Sequence, residues 1–159
     1  MTGSGPGWPL VWPAWQRLLH AVVALTVLTA LLRVLLGLAG PGAARFSAFV
    51  RGLSTTRAYA RRVLDGTAER HLNHNPLGAW LVMVLLALAL LAGISGALYV
   101  TDRFWGEAWV IAWHAMVAWP LVAMVPLHVA GVVHASRAHH ENLAAAMVHG
   151  RKPQRPGDV

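Results

Sequence analysis

Three long apolar stretches dominate the hydrophobic pattern of this chain, at residues 16–39, 77–100 and 108–137. The third is uncharged from Ala108 to Ser136, with no Lys, Arg, Asp or Glu. A helix needs about 20 apolar residues to cross a bilayer, and each stretch is long enough. The pattern therefore predicts an all-α membrane protein, a bundle of three transmembrane helices.

The segments around these stretches differ from them in composition. Residues 40–76 are rich in arginine, with apolar positions at roughly helical spacing, which favours a basic amphipathic helix on a membrane surface. A solvated basic loop fits these residues equally well. We expect residues 1–15, rich in Trp, Pro and Gly, to form an interfacial segment, residues 16–150 the membrane-embedded domain, and residues 151–159 a basic tail.

A cleaved signal peptide is an alternative for the first apolar stretch, because Arg17 precedes it and small residues follow it. The stretch exceeds the usual 7–15 apolar residues of a signal peptide, and it contains His20 and Arg33. These features favour a retained helix.

Composition narrows the class of protein further. The chain has 159 residues, of which 57% are hydrophobic, so a soluble enzyme is disfavoured. It has no cysteine, which excludes covalent c-type haem attachment, thiolate-held iron–sulfur clusters and disulfides within the chain.

The net charge of +7 is concentrated outside the apolar stretches. We therefore interpret it as a signal of membrane topology and not of nucleic-acid binding. The positive-inside rule predicts a cytoplasmic 40–76 loop and C-terminus, and a periplasmic N-terminus.

Two histidines, His114 and His128, interrupt the third apolar stretch fourteen residues apart. Ionisable groups at membrane depth are costly and commonly functional. On a helix this spacing gives about 21 Å of rise and roughly 40° of rotation, so both imidazoles face nearly the same way. This arrangement suits the axial ligands of two haems stacked across a membrane. The alternative is that each is a core histidine bonded to a neighbouring carbonyl.

Further candidate residues lie at matching depths. His20 follows about one turn of the first span and His114 about two turns of the third, from the same side, so we predict that they form the first ligand pair. His128 lies deeper, and its candidate partners are His74 or a histidine of another subunit. Arg33, about 20 Å further in than His20, is a candidate for a haem propionate, or else it snorkels to the interface.

Several short motifs occur along the chain. The first three are RLLH at 17–20, RFSAFVRG at 45–52 and HNPLG at 74–78. They are followed by WH ending at 114, LH ending at 128, and ENL at 141–143 leading to GRK at 150–152. With these motifs the chain resembles the prokaryotic cytochrome b561 family, which includes the di-haem cytochrome b subunits of nickel–iron hydrogenase. The resemblance implies four helices around two b-type haems that carry electrons between a quinone pool and a redox partner in a bacterial inner membrane.

In the family pattern His114 and His128 are the two ligands of the last helix. This chain has one span before HNPLG where the family has two, and orientation favours matching that span to the family's second helix. The resemblance thus implies haem b. We expect one haem per chain, bound by His20 and His114, or two haems if a second axial ligand pairs with His128. It implies membrane lipid, a quinone, and a c-type cytochrome or a dehydrogenase or hydrogenase subunit as partners, with a homodimer as a further candidate and no nucleic acid.

Two functional hypotheses remain. The first is a membrane-bound b-type cytochrome, an electron-transfer subunit more than a stand-alone enzyme. The second is a haem-free or haem-poor membrane anchor or assembly subunit derived from a cytochrome b. The missing span motivates the second hypothesis, as do Pro120 and Pro126, which can kink the helix between the two histidines.

Overall fold

The computed structural model describes residues 13–72 and 74–152, and this part of the chain is helical without a strand. The predicted all-α class is confirmed. The predicted interfacial segment falls almost wholly on residues 1–12, and the basic tail mostly on residues 153–159, which lie outside the described residues. The helices are α1 (Ala14–Ala39), α2 (Phe46–Phe49), α3 (Leu53–Leu64), α4 (Pro76–Tyr99), α5 (Ala108–Ala138) and α6 (Leu143–His149), with a 3-10 turn at Gly42–Ala44.

Three of these helices, α1, α4 and α5, are long and apolar enough to cross a membrane. Their large apolar side chains mostly face outward, and Leu18, Leu35 and Trp119 are 65%, 63% and 72% exposed. Lipid tails make such a surface favourable, while the helices satisfy their own backbone hydrogen bonds. The three predicted spans are therefore confirmed, each end within two residues of its expected position.

The central helix of the bundle is α4, because α1 and α5 both pack on it. Glycines make these contacts close. A Cβ at Gly93 would lie 3.0 Å from Val27 of α1, and one at Gly96 would lie 3.5 Å from the imidazole of His114 on α5. Small residues let helix backbones approach closely in a membrane, where van der Waals packing drives association.

The arginine-rich segment folds into two short helices that cover one end of the bundle. The Phe46 ring of α2 lies directly against Gly37 of α1, where it occupies the space that a Cβ would take. Trp80 at the start of α4 donates its indole N–H to the carbonyl of Arg51 at 3.0 Å. In α3 the side of the helix that carries Tyr59 is buried. For Leu53–Leu64 the predicted helix is confirmed and the solvated loop is wrong.

The HNPLG motif marks the start of α4. The Asn75 side chain accepts a hydrogen bond from the amide of Gly78 at 2.7 Å, and Pro76 takes the first helical position. Proline suits that position because its missing N–H would have no partner within the helix. The motif thus sets where α4 begins and, with it, where His74 lies.

The ENL and GRK motifs enclose α6 in the same way. The Asn142 side chain accepts from the amide of Ala145 at 2.9 Å, and Gly150 ends the helix with a left-handed φ of 65°. Glycine adopts this conformation without steric cost.

Helix α5 runs without interruption through Pro120 and Pro126. Each proline lacks an amide proton, so one carbonyl a turn earlier loses its donor, but the helix continues to Ala138. His114 and His128 therefore stay on one continuous helix, about 21 Å apart along its axis. The two prolines therefore do not divide the helix into two.

Candidate functional site

His114 is joined to the central helix by a hydrogen bond. Its Nδ1 lies 2.9 Å from the hydroxyl oxygen of Ser95, whose side chain is completely buried. The same hydroxyl donates to the carbonyl of Leu91 at 2.8 Å, with Ala92 at 3.1 Å. A hydroxyl has one proton to give, and when that proton points to a backbone carbonyl the oxygen is left to accept from the Nδ1–H of His114.

This direction of the bond corresponds to one tautomer of His114. With the proton on Nδ1, the Nε2 atom keeps its lone pair, which is the form of imidazole that binds a metal. Gly96 lies flat beside the ring, so no side chain pushes the imidazole away from α4. On the α5 side, the residues present fit an axial haem ligand held by an outer hydrogen bond.

His20, the predicted partner of His114, lies on the exposed surface of α1. Its Nδ1 is 3.0 Å from the carbonyl of Gln16 in its own helix. Trp15, Gln16 and Leu19 line an open cleft beside it. His20 and His114 thus have separate hydrogen-bonding partners in this arrangement of the helices.

The contacts with α4 also give the relative depths of these two histidines. Val27 faces Gly93, and His20 lies seven residues before Val27, about 10 Å nearer to the N-terminal end of α1. His114 faces Ser95 and Gly96, only about 3–5 Å from Gly93 in the same direction. His20 therefore lies about one helical turn beyond His114 towards that end of the bundle, so the two histidines are less level than the sequence suggested.

The second histidine of α5, His128, lies near His74 at the other end of the bundle. The His74 ring stacks on Phe49 with a centroid distance of 4.7 Å. Burial lowers the pKa of His74 first, and the positive charge of Arg33 and the proximity of His128 lower it further. The structure thus groups the candidate inner residues around the start of α4.

Arg33 connects α1 to this group. Its guanidinium donates to the carbonyl of Ala44 at 3.0 Å and lies over the rings of Phe46 and Phe49, at 5.0 and 5.5 Å from their centroids. The side chain therefore reaches from the helix towards the loop, as a snorkelling arginine does. Its position beside Phe49 also brings its charge close to His74.

An ion-pair cluster at the same end escaped the sequence analysis. Arg70 lies 2.8 Å from Glu141, whose other oxygen is 3.0 Å from Lys152, and Lys152 donates to the carbonyl of His71 at 2.6 Å. Burial alone would raise the pKa of Glu141, but hydrogen bonds from Arg70 and Lys152 outweigh it and lower that pKa. The cluster joins the start of α4 to the end of α5.

The sequence analysis also missed Ser95 as the partner of His114. Ser95 lies in a stretch of mostly small residues, between Ala92 and Ala97. Two antiparallel helices joined by a short turn bring together positions equally distant from that turn. Ser95 lies four residues before the end of α4 and His114 six residues after the start of α5, so the spacing indicates that they lie in the same part of the bundle but does not identify the pair.

Within the residues that the structure describes, no three His, Asp or Glu side chains converge to hold a bare metal ion. A haem places no such demand, because its porphyrin supplies four of the iron ligands and the protein supplies one or two. Isolated histidines at two depths suit that chemistry better than a mononuclear metal site.

The comparisons with known proteins agree with this geometry. The family model described as prokaryotic cytochrome b561 matches residues 3–150. No curated protein and no solved structure matches the chain. Since the matched range covers nearly the whole chain, it belongs to the prokaryotic cytochrome b561 family and is a multi-pass bacterial membrane cytochrome of the b type, which serves in electron transfer.

Proposed function

We propose that this chain carries electrons between a quinone pool and a redox partner protein through haem b bound by pairs of histidines. The observation that carries the proposal is the bond between Ser95 and His114, which leaves Nε2 of a membrane histidine available as a ligand. When bound, a bis-histidine haem supplies a one-electron carrier with no open coordination position.

At the outer level, we assign the ligand roles to His114 and His20. Ser95 would fix the ring orientation of His114. Gly96 has no side chain, so the imidazole ring of His114 can lie close to α4. His20 would keep its Nδ1 bond to the carbonyl of Gln16 and offer Nε2 to the iron, and α1 would have to slide by about one turn along α4.

At the inner level, we assign His128 with His74, or with a histidine of a second copy of the chain. The support is their proximity and the lowered pKa of His74, which keeps it neutral and able to ligate. Arg33 is close enough to this group to pair with a propionate. Two such levels, about 21 Å apart, would conduct electrons across most of the membrane.

The quinone and the redox partner would meet the chain at the two membrane faces. The positive-inside rule orients the arginine-rich loop and the C-terminus to the cytoplasm and the N-terminus to the periplasm. A c-type cytochrome, or a dehydrogenase or hydrogenase subunit, would then exchange electrons at one face, and the quinone at the other.

The test is a pyridine haemochrome assay on detergent-purified protein, with reduced-minus-oxidised spectra. We compare the wild type with His114→Ala, His128→Ala, His20→Ala and His74→Ala. His134→Ala is the matched control, since His134 is an exposed histidine on the same helix. The proposal expects b haem in the wild type, its loss at one level in the ligand variants, and no change in the control.

One haem per chain that depends on His114 and His20 would support the outer site alone. Two haems, with one lost in His128→Ala and His74→Ala, would support both levels. Protein that is folded but free of haem would overturn the proposal and favour the membrane anchor instead.

A further inference from the structure

Helix α3 has one side that packs on the protein and a neighbouring side that does not. Thr56 and Tyr59 are buried, and the ring of Tyr59 lies edge-on to that of His71 with 5.2 Å between the centroids. Leu53 and Leu64, by contrast, are 60% and 86% exposed, although both are large apolar side chains outside the membrane-spanning helices. The proposed electron transfer uses neither leucine.

The two leucines share one side of α3 with an arginine. At 100° per residue, Leu53, Arg57 and Leu64 fall within about 40° of one another, and Arg61 lies about 40° further round the helix. The helix carries no acidic residue, and among the residues that the structure describes no carboxylate pairs with Arg57 or Arg61. This side of α3 is therefore apolar at two positions and positively charged at two others.

A hydrogen bond to α4 indicates the depth at which α3 begins. The 24 residues of α4 rise about 36 Å, which leaves about 3 Å at each end outside a hydrocarbon core of about 30 Å. Trp80 lies four residues, or about 6 Å, into α4, and its indole N–H donates to the carbonyl of Arg51. The backbone two residues before α3 therefore lies at the boundary between headgroups and acyl chains.

This depth favours lipid as the neighbour of the two leucines, because a soluble protein does not reach the acyl chains. Leu53 and Leu64 are 11 residues, or about 16 Å, apart along the axis. Both reach the acyl boundary only if α3 lies nearly parallel to the membrane. Amphipathic helices adopt this orientation, with apolar side chains below the headgroups and basic ones among them.

We propose that α3 lies in the plane of the membrane interface, with Leu53 and Leu64 at the acyl boundary and Arg57 and Arg61 on the phosphates of anionic phospholipids. Each basic residue near a membrane surface strengthens the binding of anionic lipid by a factor of about five. The amphipathic sequence pattern did not identify this side of the helix, which the burial of Thr56 distinguishes from the side on the protein. The proposal does not depend on haem content.

The first experiment measures which side of α3 faces lipid. The chain has no cysteine, so an introduced cysteine takes a nitroxide label at one chosen position. Leu53→Cys and Leu64→Cys are compared in phosphatidylglycerol nanodiscs with Thr55→Cys and Ala58→Cys, which are exposed at least about 120° away round the helix. Leu35→Cys, at a position of α1 that is 63% exposed, is the lipid-facing reference.

The readout is the ratio of collisions with oxygen, which concentrates among acyl chains, to collisions with a nickel chelate, which stays in water. We expect the ratio at Leu53 and Leu64 to approach that at Leu35 and to exceed severalfold the ratio at Thr55 and Ala58. Equal ratios on the two sides of α3 would overturn the proposal and favour an aqueous surface that binds an acidic protein.

The second experiment tests the phosphate contacts. The purified full chain is titrated with dioctanoyl phosphatidylglycerol, and bound lipid is counted by native mass spectrometry. Arg57→Gln should weaken binding about fivefold. Arg137→Gln, which removes an exposed arginine near the end of α5, is the charge-matched control and should leave the affinity unchanged. Equal losses in the two variants would show that the overall charge of this end attracts the lipid and that α3 does not hold it.

Discussion

The hydroxyl of Ser95 and Nδ1 of His114 lie 2.9 Å apart and join α4 to α5 at the level of the proposed outer haem. A hydrogen-bond acceptor behind a ligating imidazole orients the ring and raises its basicity. Ser95 therefore acts on the proposed haem through His114 and not by contact.

Ser95→Ala should lower the haem affinity of the outer site by about 10–100-fold, because the imidazole loses its outer partner. A less basic ligand stabilises ferric iron less, so the midpoint potential of the remaining haem should rise. Haem titration and a spectroscopic redox titration measure these effects. Thr29→Ala is the control, since Thr29 also bonds to carbonyls of its own helix but touches no histidine. An unchanged potential would show that Ser95 is only a packing residue.

Glu141→Ala should destabilise the fold by about 3–5 kcal/mol, because it removes a buried carboxylate that pairs with both Arg70 and Lys152. The side chains of Glu141 and Arg70 are both 8% exposed. Glu69→Ala removes a carboxylate from Arg62 in a pair that is 40% and 46% exposed, and should cost only about 0–1 kcal/mol. The free energy of unfolding in mixed micelles measures both. Equal losses would show that burial does not distinguish the pairs.

Stability should fall as the pH falls below about 6.5, in part because of His71. Burial lowers the pKa of His71 first; Glu69 opposes this shift, while His139, Lys152 and Arg62 add to it. The unfolded chain therefore takes up the proton more readily. The contribution of His71 is fully present above its ordinary value of 6.5 and is lost as the pH falls from there through the lower folded pKa.

The melting temperature between about pH 8 and pH 5 checks this prediction. His71→Gln should flatten part of the acid slope, whereas His134→Gln, in an exposed position, should retain it. Identical slopes in the two variants would assign the pH dependence to other groups.

Gly37→Ala should destabilise the junction of α1 and α2 by about 1–3 kcal/mol, because a methyl group there would overlap the Phe46 ring. Gly131→Ala is the matched control, as a Cβ at this glycine of α5 meets nothing within 4 Å. Its gain in helix propensity should make it neutral or stabilising by up to about 1 kcal/mol. Unfolding free energies of the two variants decide the point, and a neutral Gly37→Ala would mean that Phe46 moves aside freely.

The sequence was sufficient to predict the helical spans, because about 20 consecutive apolar residues can adopt few conformations other than a helix in a bilayer. It was also sufficient for the ends of α4 and α6. The capping chemistry of Asn75, Pro76, Asn142 and Gly150 is local, and each of these residues acts on a helix within a few positions of itself. The family followed from these same motifs, and the match over residues 3–150 confirms it.

Partners that are distant in sequence required the tertiary structure. Arg70 and Glu141 are 71 residues apart, and nothing in either segment identifies the other. The same holds for Phe49, which stacks on His74 across the end of the bundle. Such contacts depend on how α2, the segment before α4 and the turn after α5 fold over the end of the membrane helices.

Helix periodicity by itself determined that His114 and His128 share one face of one helix, since the rise and rotation of a helix are fixed by its backbone. Periodicity could not determine the depth of His20 relative to His114, or which residue forms a hydrogen bond with each imidazole ring. Those depend on how far α1 slides along α4, and side-chain packing at Gly93 and Val27 sets that register. The apolar face of α1 carries no signal for it, because lipid accepts apolar side chains in every register equally well.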